Sequence, residues 1–285
     1  MTRSARAYVK KVPSGEAGLW KSAKPTLARL DIELTERCNN NCLHCSVNLP
    51  AGDIEARAFE WTAVRWKALL TEAADLGCLV VRLTGGEPLL RDDFEGIYLH
   101  ARKLGLRVML FTNATLMTPR LARLLKDVPP LEAVEVSVYG MKEETYEAVT
   151  RVPGSFATFR RGLGLLLEHG VPFVVKGAVL PPTRKEMDEF ETWAAGLPGA
   201  PGPPSYALLF DLRSRRDVGK NDLIAGLRLG GDEFVRIARR HGEGVARSGA
   251  TSAPAPAAPA ATGCSTACRR AARPRSIPTA GFSTV

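Results

Sequence analysis

Three thiols stand close together in Cys38-Asn39-Asn40-Asn41-Cys42-Leu43-His44-Cys45, a C-x3-C-x2-C run. The run directly follows an alternating apolar stretch, Leu30-Asp31-Ile32-Glu33-Leu34. Three thiolates on one short loop can hold three corners of a cubane iron–sulfur cluster. Such clusters normally take four cysteine ligands. A tight set of three, with no fourth close by, leaves one iron open to a small molecule. Zinc is the main rival, because three sulfurs plus a histidine or a water also make a tetrahedron. A disulfide is the weaker alternative, since three local cysteines leave one thiol over.

A second motif lies about forty residues further on, in Val80-Val81-Arg82-Leu83-Thr84-Gly85-Gly86-Glu87-Pro88-Leu89-Leu90. It reads as a buried strand that ends in a Gly-Gly turn. Taken with Cys38, Cys42 and Cys45, the Gly85-Gly86-Glu87-Pro88 turn resembles the radical S-adenosylmethionine (SAM) enzymes in order, spacing and strand context. The resemblance runs from about Leu30 to about Leu212.

That resemblance implies a [4Fe–4S] cluster on Cys38, Cys42 and Cys45, with SAM chelated at the open iron. It implies reductive cleavage of the sulfonium to a 5′-deoxyadenosyl radical, and an electron donor such as a flavodoxin or ferredoxin. Gly85 and Gly86 lack side chains, so the backbone there can approach a ligand. Glu87 and nearby carbonyls would accept hydrogen bonds from the methionine ammonium, and Pro88 would fix the turn. The plainer alternative is an ordinary strand-to-helix turn. His44 occupies the position where the family has an aromatic residue near the adenine; it could equally just pack the loop. Asn113, in Phe111-Thr112-Asn113-Ala114-Thr115, is a cofactor contact or a turn cap. Ser137, ahead of Tyr139-Gly140, is the expected ribose contact. Thr150 or Arg151 would face the cofactor carboxylate. Lys176 either meets a carboxylate inside the barrel or lies on the surface, and Cys78 reads as core filler. No catalytic residue is assigned.

The stretch from Val136 through Tyr146 and Thr150 to Pro153-Gly154-Ser155-Phe156 resembles the subgroup that modifies peptides and proteins, such as anaerobic sulfatase maturases. Its members carry a C-terminal cysteine-rich SPASM region. Here only Cys264 and Cys268 occur in the tail. The expected activity is modification of a peptide or protein residue. The alternatives are a radical enzyme on a small metabolite and an inactive, truncated iron–sulfur protein.

The elements that must carry these residues are legible as periods. Strands are predicted at 30–35, 78–84, 106–112, 133–139, 171–180 and 205–211. Helices are predicted at 59–76, 92–104, 118–127, 155–169 and 184–196, with Ser155 as a cap. Strands alternating with helices imply parallel pairing. The fold class is therefore α/β, a partial (β/α)6 TIM-like barrel of parallel strands with a disordered C-terminal tail. Barrels of this class place their chemistry at the C-terminal ends of strands. The cysteine loop and the Gly-Gly turn both fall on that rim.

Three domains are expected: a lead-in at 1–29, the barrel at 30–243 and a low-complexity tail at 244–285. The tail holds no acid and no apolar period, so it cannot bury enough surface to fold. Its Ala, Pro and Arg content suggests translation out of frame, which would remove a SPASM region. The net charge of +9 is partly the tail's, through Arg247, Arg269, Arg270, Arg273 and Arg275, and the rest carries +4. No nucleic-acid signature accompanies it. No apolar run is long enough for a membrane span and no secretory leader is expected, so the expected location is the reducing cytoplasm.

Overall fold

A computed structural model describes residues 27–47, 49–198, 204–208, 210 and 219–239. The lead-in and tail expectations, Cys264 and Cys268 included, lie outside the described residues. The strands are β1 (Arg29–Glu33), β2 (Arg37–Cys38), β3 (Leu49–Pro50), β4 (Val80–Thr84), β5 (Arg107–Thr112), β6 (Leu131–Val138), β7 (Val174–Ala178) and β8 (Ser205–Ala207). Six of them form one sheet in the order β1-β4-β5-β6-β7-β8, every neighbour parallel. The six predicted strands are these six, each within a few residues. The fold is the expected α/β arrangement of parallel strands and covering helices. No helix among the described residues is long and apolar enough to cross a membrane.

Alternation along the strands separates two faces. Leu30, Ile32, Val81, Leu83, Val108, Leu110, Val134, Val136 and Val175 are buried in one apolar core with Phe94, Ile97, Tyr98, Phe159 and Leu166 from the helices. The opposite face carries Asp31, Arg82, Phe111, Glu135 and Lys176. Arg82 bonds Asp31 at 2.6 Å and lies 4.7 Å over the Phe111 ring. Lys176 reaches Glu135 at 3.4 Å. Lys176 is therefore half-buried and paired, not a free surface lysine.

Several helices depart from expectation. The run predicted at 59–76 is helical from Ala63 to Asp75, with Thr62 capping it through Arg65 N, and an unpredicted helix, Ile54–Phe59, precedes it. Trp66, Leu70 and Ala73 face the core from this second helix, and Val64 is 78% exposed. Helices Phe94–Lys103, Pro119–Asp127, Ser155–Glu168 and Met187–Ala195 lie close to prediction. Ser155 is not a cap: the helix begins at Ser155 itself, and its Oγ meets Thr150 Oγ1 at 2.7 Å. Helices Glu143–Thr150 and Gly219–Leu227 were not predicted.

Candidate functional site

The cysteine loop leaves the C-terminal end of β1 and is closed at its base. Arg37 and Cys38 pair in parallel with Leu49 and Pro50, and Leu49 N donates to the Glu36 carbonyl at 2.9 Å. A buried ion cluster braces that base. Glu60 accepts from Arg37 Nε at 2.8 Å, from Arg91 Nη1 at 3.1 Å and from Thr35 Oγ1 at 2.5 Å. Arg91 also donates to the Leu34 and Trp61 carbonyls. Removing one partner from such a cluster strands a buried charge, at a cost of about 3–5 kcal/mol. Sequence reasoning missed Thr35, Arg37, Glu60 and Arg91, since nothing in their spacing ties Glu60 to the cysteines.

The far side of the loop is held by a helix end. Asn41 N donates to the Thr150 carbonyl at 2.9 Å and Leu43 N to the Val149 carbonyl at 3.0 Å. These are carbonyls of the last turn of Glu143–Thr150, which have no partner within the helix. Arg151 donates to the Asn41 carbonyl and to Asn41 Oδ1, at 2.6 and 2.7 Å. Thr150 is bonded to Ser155, and Arg151 grips the cysteine loop.

The Gly-Gly turn at the end of β4 lies against the same base. Gly86 N donates to the Thr35 carbonyl at 2.7 Å, and Glu87 N to the Arg37 carbonyl at 2.9 Å. A Cβ on Gly85 would overlap the Thr35 carbonyl, and one on Gly86 the Arg37 carbonyl. Gly85 also has φ +132. The glycines are needed here for backbone to approach backbone. Pro88 is buried and opens the 3-10 turn Pro88–Leu90.

Glu87 turns inward. It is 0% exposed and accepts from Leu89 N at 3.0 Å, Thr112 Oγ1 at 2.9 Å and Asn113 N at 2.8 Å. Its carboxylate is enclosed by these donors and not open to a methionine ammonium, so it ties the end of β4 to the end of β5. Burial pushes its pKa up to about 7, against the opposing effect of those donors. A raised carboxyl pKa means the folded apo-protein holds a proton that the unfolded chain has released. The contribution of Glu87 to apo-protein stability should therefore fall as pH rises from the ordinary value, 4.5, through about 7, while buried His44, lowered from 6.5 to about 4, contributes a rise over that lower range. The difference in urea midpoint between apo wild type and Glu87→Ala isolates Glu87, and it should fall between pH 5 and 8.

Every thiol of the loop has a donor. Asn40 N lies 3.3 Å from Cys38 Sγ, and Asn113 Nδ2 lies 3.8 Å from it. Val47 N reaches Cys45 Sγ at 3.5 Å. The Tyr139 hydroxyl bonds Cys42 and is itself bonded by Ser137. Ser137 thus sits behind a cysteine of the loop. Burial, with Glu87 adding repulsion, raises the Cys38 thiol to about 12, and burial likewise raises Cys42. Thiols so disfavoured as free anions call for a cation to ionise them. His44 lies between Tyr139 and Phe210, with centroids 5.4 and 5.0 Å away, and burial lowers its pKa to about 4. It is neutral, and its Nδ1 has no partner. Cys78 is buried at the start of β4 and donates to the Val80 carbonyl, apart from the loop.

The donor set fits a cluster. Among the described residues, no three Cys, His, Asp or Glu side chains converge as ligands of a single ion do. Zinc about 2.3 Å from each sulfur would draw thiolates to within roughly 3.8 Å of one another. In a cubane each thiolate binds its own iron, so the sulfurs stand further apart. Both polar atoms of buried Asn40, between Cys38 and Cys42, also lack partners, as expected beside a missing polar group. The sequence profile of the Radical SAM superfamily matches residues 32–194, more than half of the chain. The chain belongs to the radical SAM superfamily. Members of that superfamily use a [4Fe–4S] cluster and SAM. The chain is similar to the AdoMet-dependent heme synthase of Methanosarcina barkeri, 34% identical over 161 residues, 55% of this chain and 43% of that one. It is similar also to the PqqA peptide cyclase of Methylocella silvestris, 31% identical over 147 residues, 52% of this chain and 38% of that one. Streptococcus suis SuiB bound to precursor peptide SuiA shares the fold, with TM-score 0.52 at 19% identity, over 61% of this chain and 38% of that one. The chain spans less than half the length of these curated relatives.

Proposed function

We propose that the chain is the radical-generating barrel of a SPASM-type maturase that modifies a peptide or protein residue. The observation that carries this is the three-thiol loop, locked from below by the Gly85-Gly86 turn and from the side by a helix end. Cys38, Cys42 and Cys45 would hold three irons of a [4Fe–4S] cluster, and Asn40 and His44 line the loop between them. When bound, cluster and SAM supply reductive cleavage of a sulfonium and a carbon radical that removes a substrate hydrogen. The protein holds the thiolates apart, keeps donors on their sulfurs and excludes water from Cys42. A low-potential donor of the flavodoxin or ferredoxin class would deliver the electron, and the reducing cytoplasm suits such a site.

Relatives named for peptides, the PqqA peptide cyclase and SuiB with its precursor, support a peptide substrate. So does the inner face of the sheet, where Asp31–Arg82 and Glu135–Lys176 pairs present polar partners and not an apolar slot. The heme synthase match favours a second reading, a tetrapyrrole substrate. Anaerobic reconstitution tests the common part: about four irons per chain and reductant-dependent release of 5′-deoxyadenosine from SAM are expected. One bound zinc and no release would sink it. Hydrogen transfer into 5′-deoxyadenosine from a deuterated peptide, and none from a deuterated porphyrin, would decide between the substrates.

A further inference from the structure

One of the donors on the thiols comes from outside the cysteine loop. Asn113 follows β5, yet its Nδ2 lies 3.8 Å from Cys38 Sγ. The side chain has little freedom. It is buried, and its Oδ1 accepts from Thr115 N at 2.9 Å and Thr115 Oγ1 at 2.6 Å. The same Nδ2 donates to Asn39 Oδ1 at 3.0 Å, and Asn39 Nδ2 donates to Thr115 Oγ1 at 2.6 Å. Two donors on one end fix which end of the amide is oxygen, so the NH2 faces Asn39 and Cys38. The backbone is fixed as well, by Asn113 N on Glu87.

We infer that Asn113 tunes the reduction potential of the cluster held by Cys38, Cys42 and Cys45, by donating an N–H···S hydrogen bond to the Cys38 thiolate. The inference rests on the cluster reading above. The step it tunes is uptake of one electron from an external low-potential donor, with no bond made or broken. Reduction adds negative charge to the cluster and its sulfurs. A donor aimed at a sulfur stabilises that charge more in the reduced state, so it raises the potential. The effect is larger in a buried site of low dielectric than in water. Asn113 is then a positioning and tuning residue, not a contact of SAM.

The test is a redox titration of the reconstituted cluster without SAM, followed by its electron-spin signal. Asn113→Ala and Asn113→Asp both remove the amide donor, and Asp keeps the shape and the oxygen that Thr115 bonds. Both are expected to hold about four irons and to be harder to reduce by about three- to tenfold, at most about 59 mV for a one-electron couple. Thr115→Val loosens the same network without touching the sulfur and should leave the potential unmoved. Equal potentials in wild type and both Asn113 variants would overturn the inference. So would an equal shift in Thr115→Val, or loss of iron from both Asn113 variants, since either makes the role purely structural. Absence of iron from the wild type itself would instead remove the cluster reading.

Discussion

Gly86→Val is expected to yield a chain that holds no iron. The branched side chain would start inside the Arg37 carbonyl, a backbone atom one residue before Cys38. Relief means moving the β2 and β3 ladder, the bonds from Gly86 N and Glu87 N, and the Cys38 sulfur with them. Overpacking typically costs about 1–3 kcal/mol and occasionally more, and a clash with backbone is the case that cannot relax by a side-chain shift. Iron per chain after anaerobic reconstitution should drop from about four to near zero, together with SAM binding. A variant that keeps its iron and loses only SAM affinity would restore the simpler view of these glycines as a ligand cradle.

Cys42→Ala is expected to abolish the cluster and all reductive cleavage of SAM. Cys42 is the most enclosed of the three thiols, with the Tyr139 hydroxyl and neighbouring thiols around it. Two remaining thiolates leave a second iron of the cubane without a protein ligand. Cys78→Ala is the matched control, because Cys78 is equally exposed to solvent but bonds backbone of β4 and β1, away from the cysteine loop. It should keep full iron and activity and lose about 1 kcal/mol of stability. Cleavage by Cys42→Ala protein, measured as 5′-deoxyadenosine, would show that the loop is not the cluster site.

How much of this was legible follows from what each residue needs. Five of the six sheet strands could be read because one face of each is buried, so Leu30, Ile32, Val81 and Leu83 alternate with polar neighbours. The cysteines could be read because their chemistry demands a short spacing. The two-residue ladder of Arg37–Cys38 with Leu49–Pro50 carries no period of its own and exists only because the loop returns to its base. Helix Glu143–Thr150 escaped notice because only Tyr146, Val149 and Thr150 are buried along it. Glu60 looks like any surface acid until Arg37 and Arg91 fold onto it. Glu87 shows the opposite hazard: its motif marks it for a ligand, but the motif does not reveal that its carboxylate is taken up by the end of β5.

The grip of the helix end on Asn41 and Leu43 bears on how the metal arrives. Many small metal sites are formless until the ion enters, so part of the binding energy goes into ordering the chain. Here the loop is already pinned on both flanks by protein bonds. Amide exchange at Asn41 and Leu43 should accordingly be slow in apo-protein and change little on loading; fast exchange that slows only with iron would refute this. Loading is then delivery to a finished receptor, separable in time from synthesis. Oxygen that strips the iron leaves behind a chain to be refilled, with no refolding required.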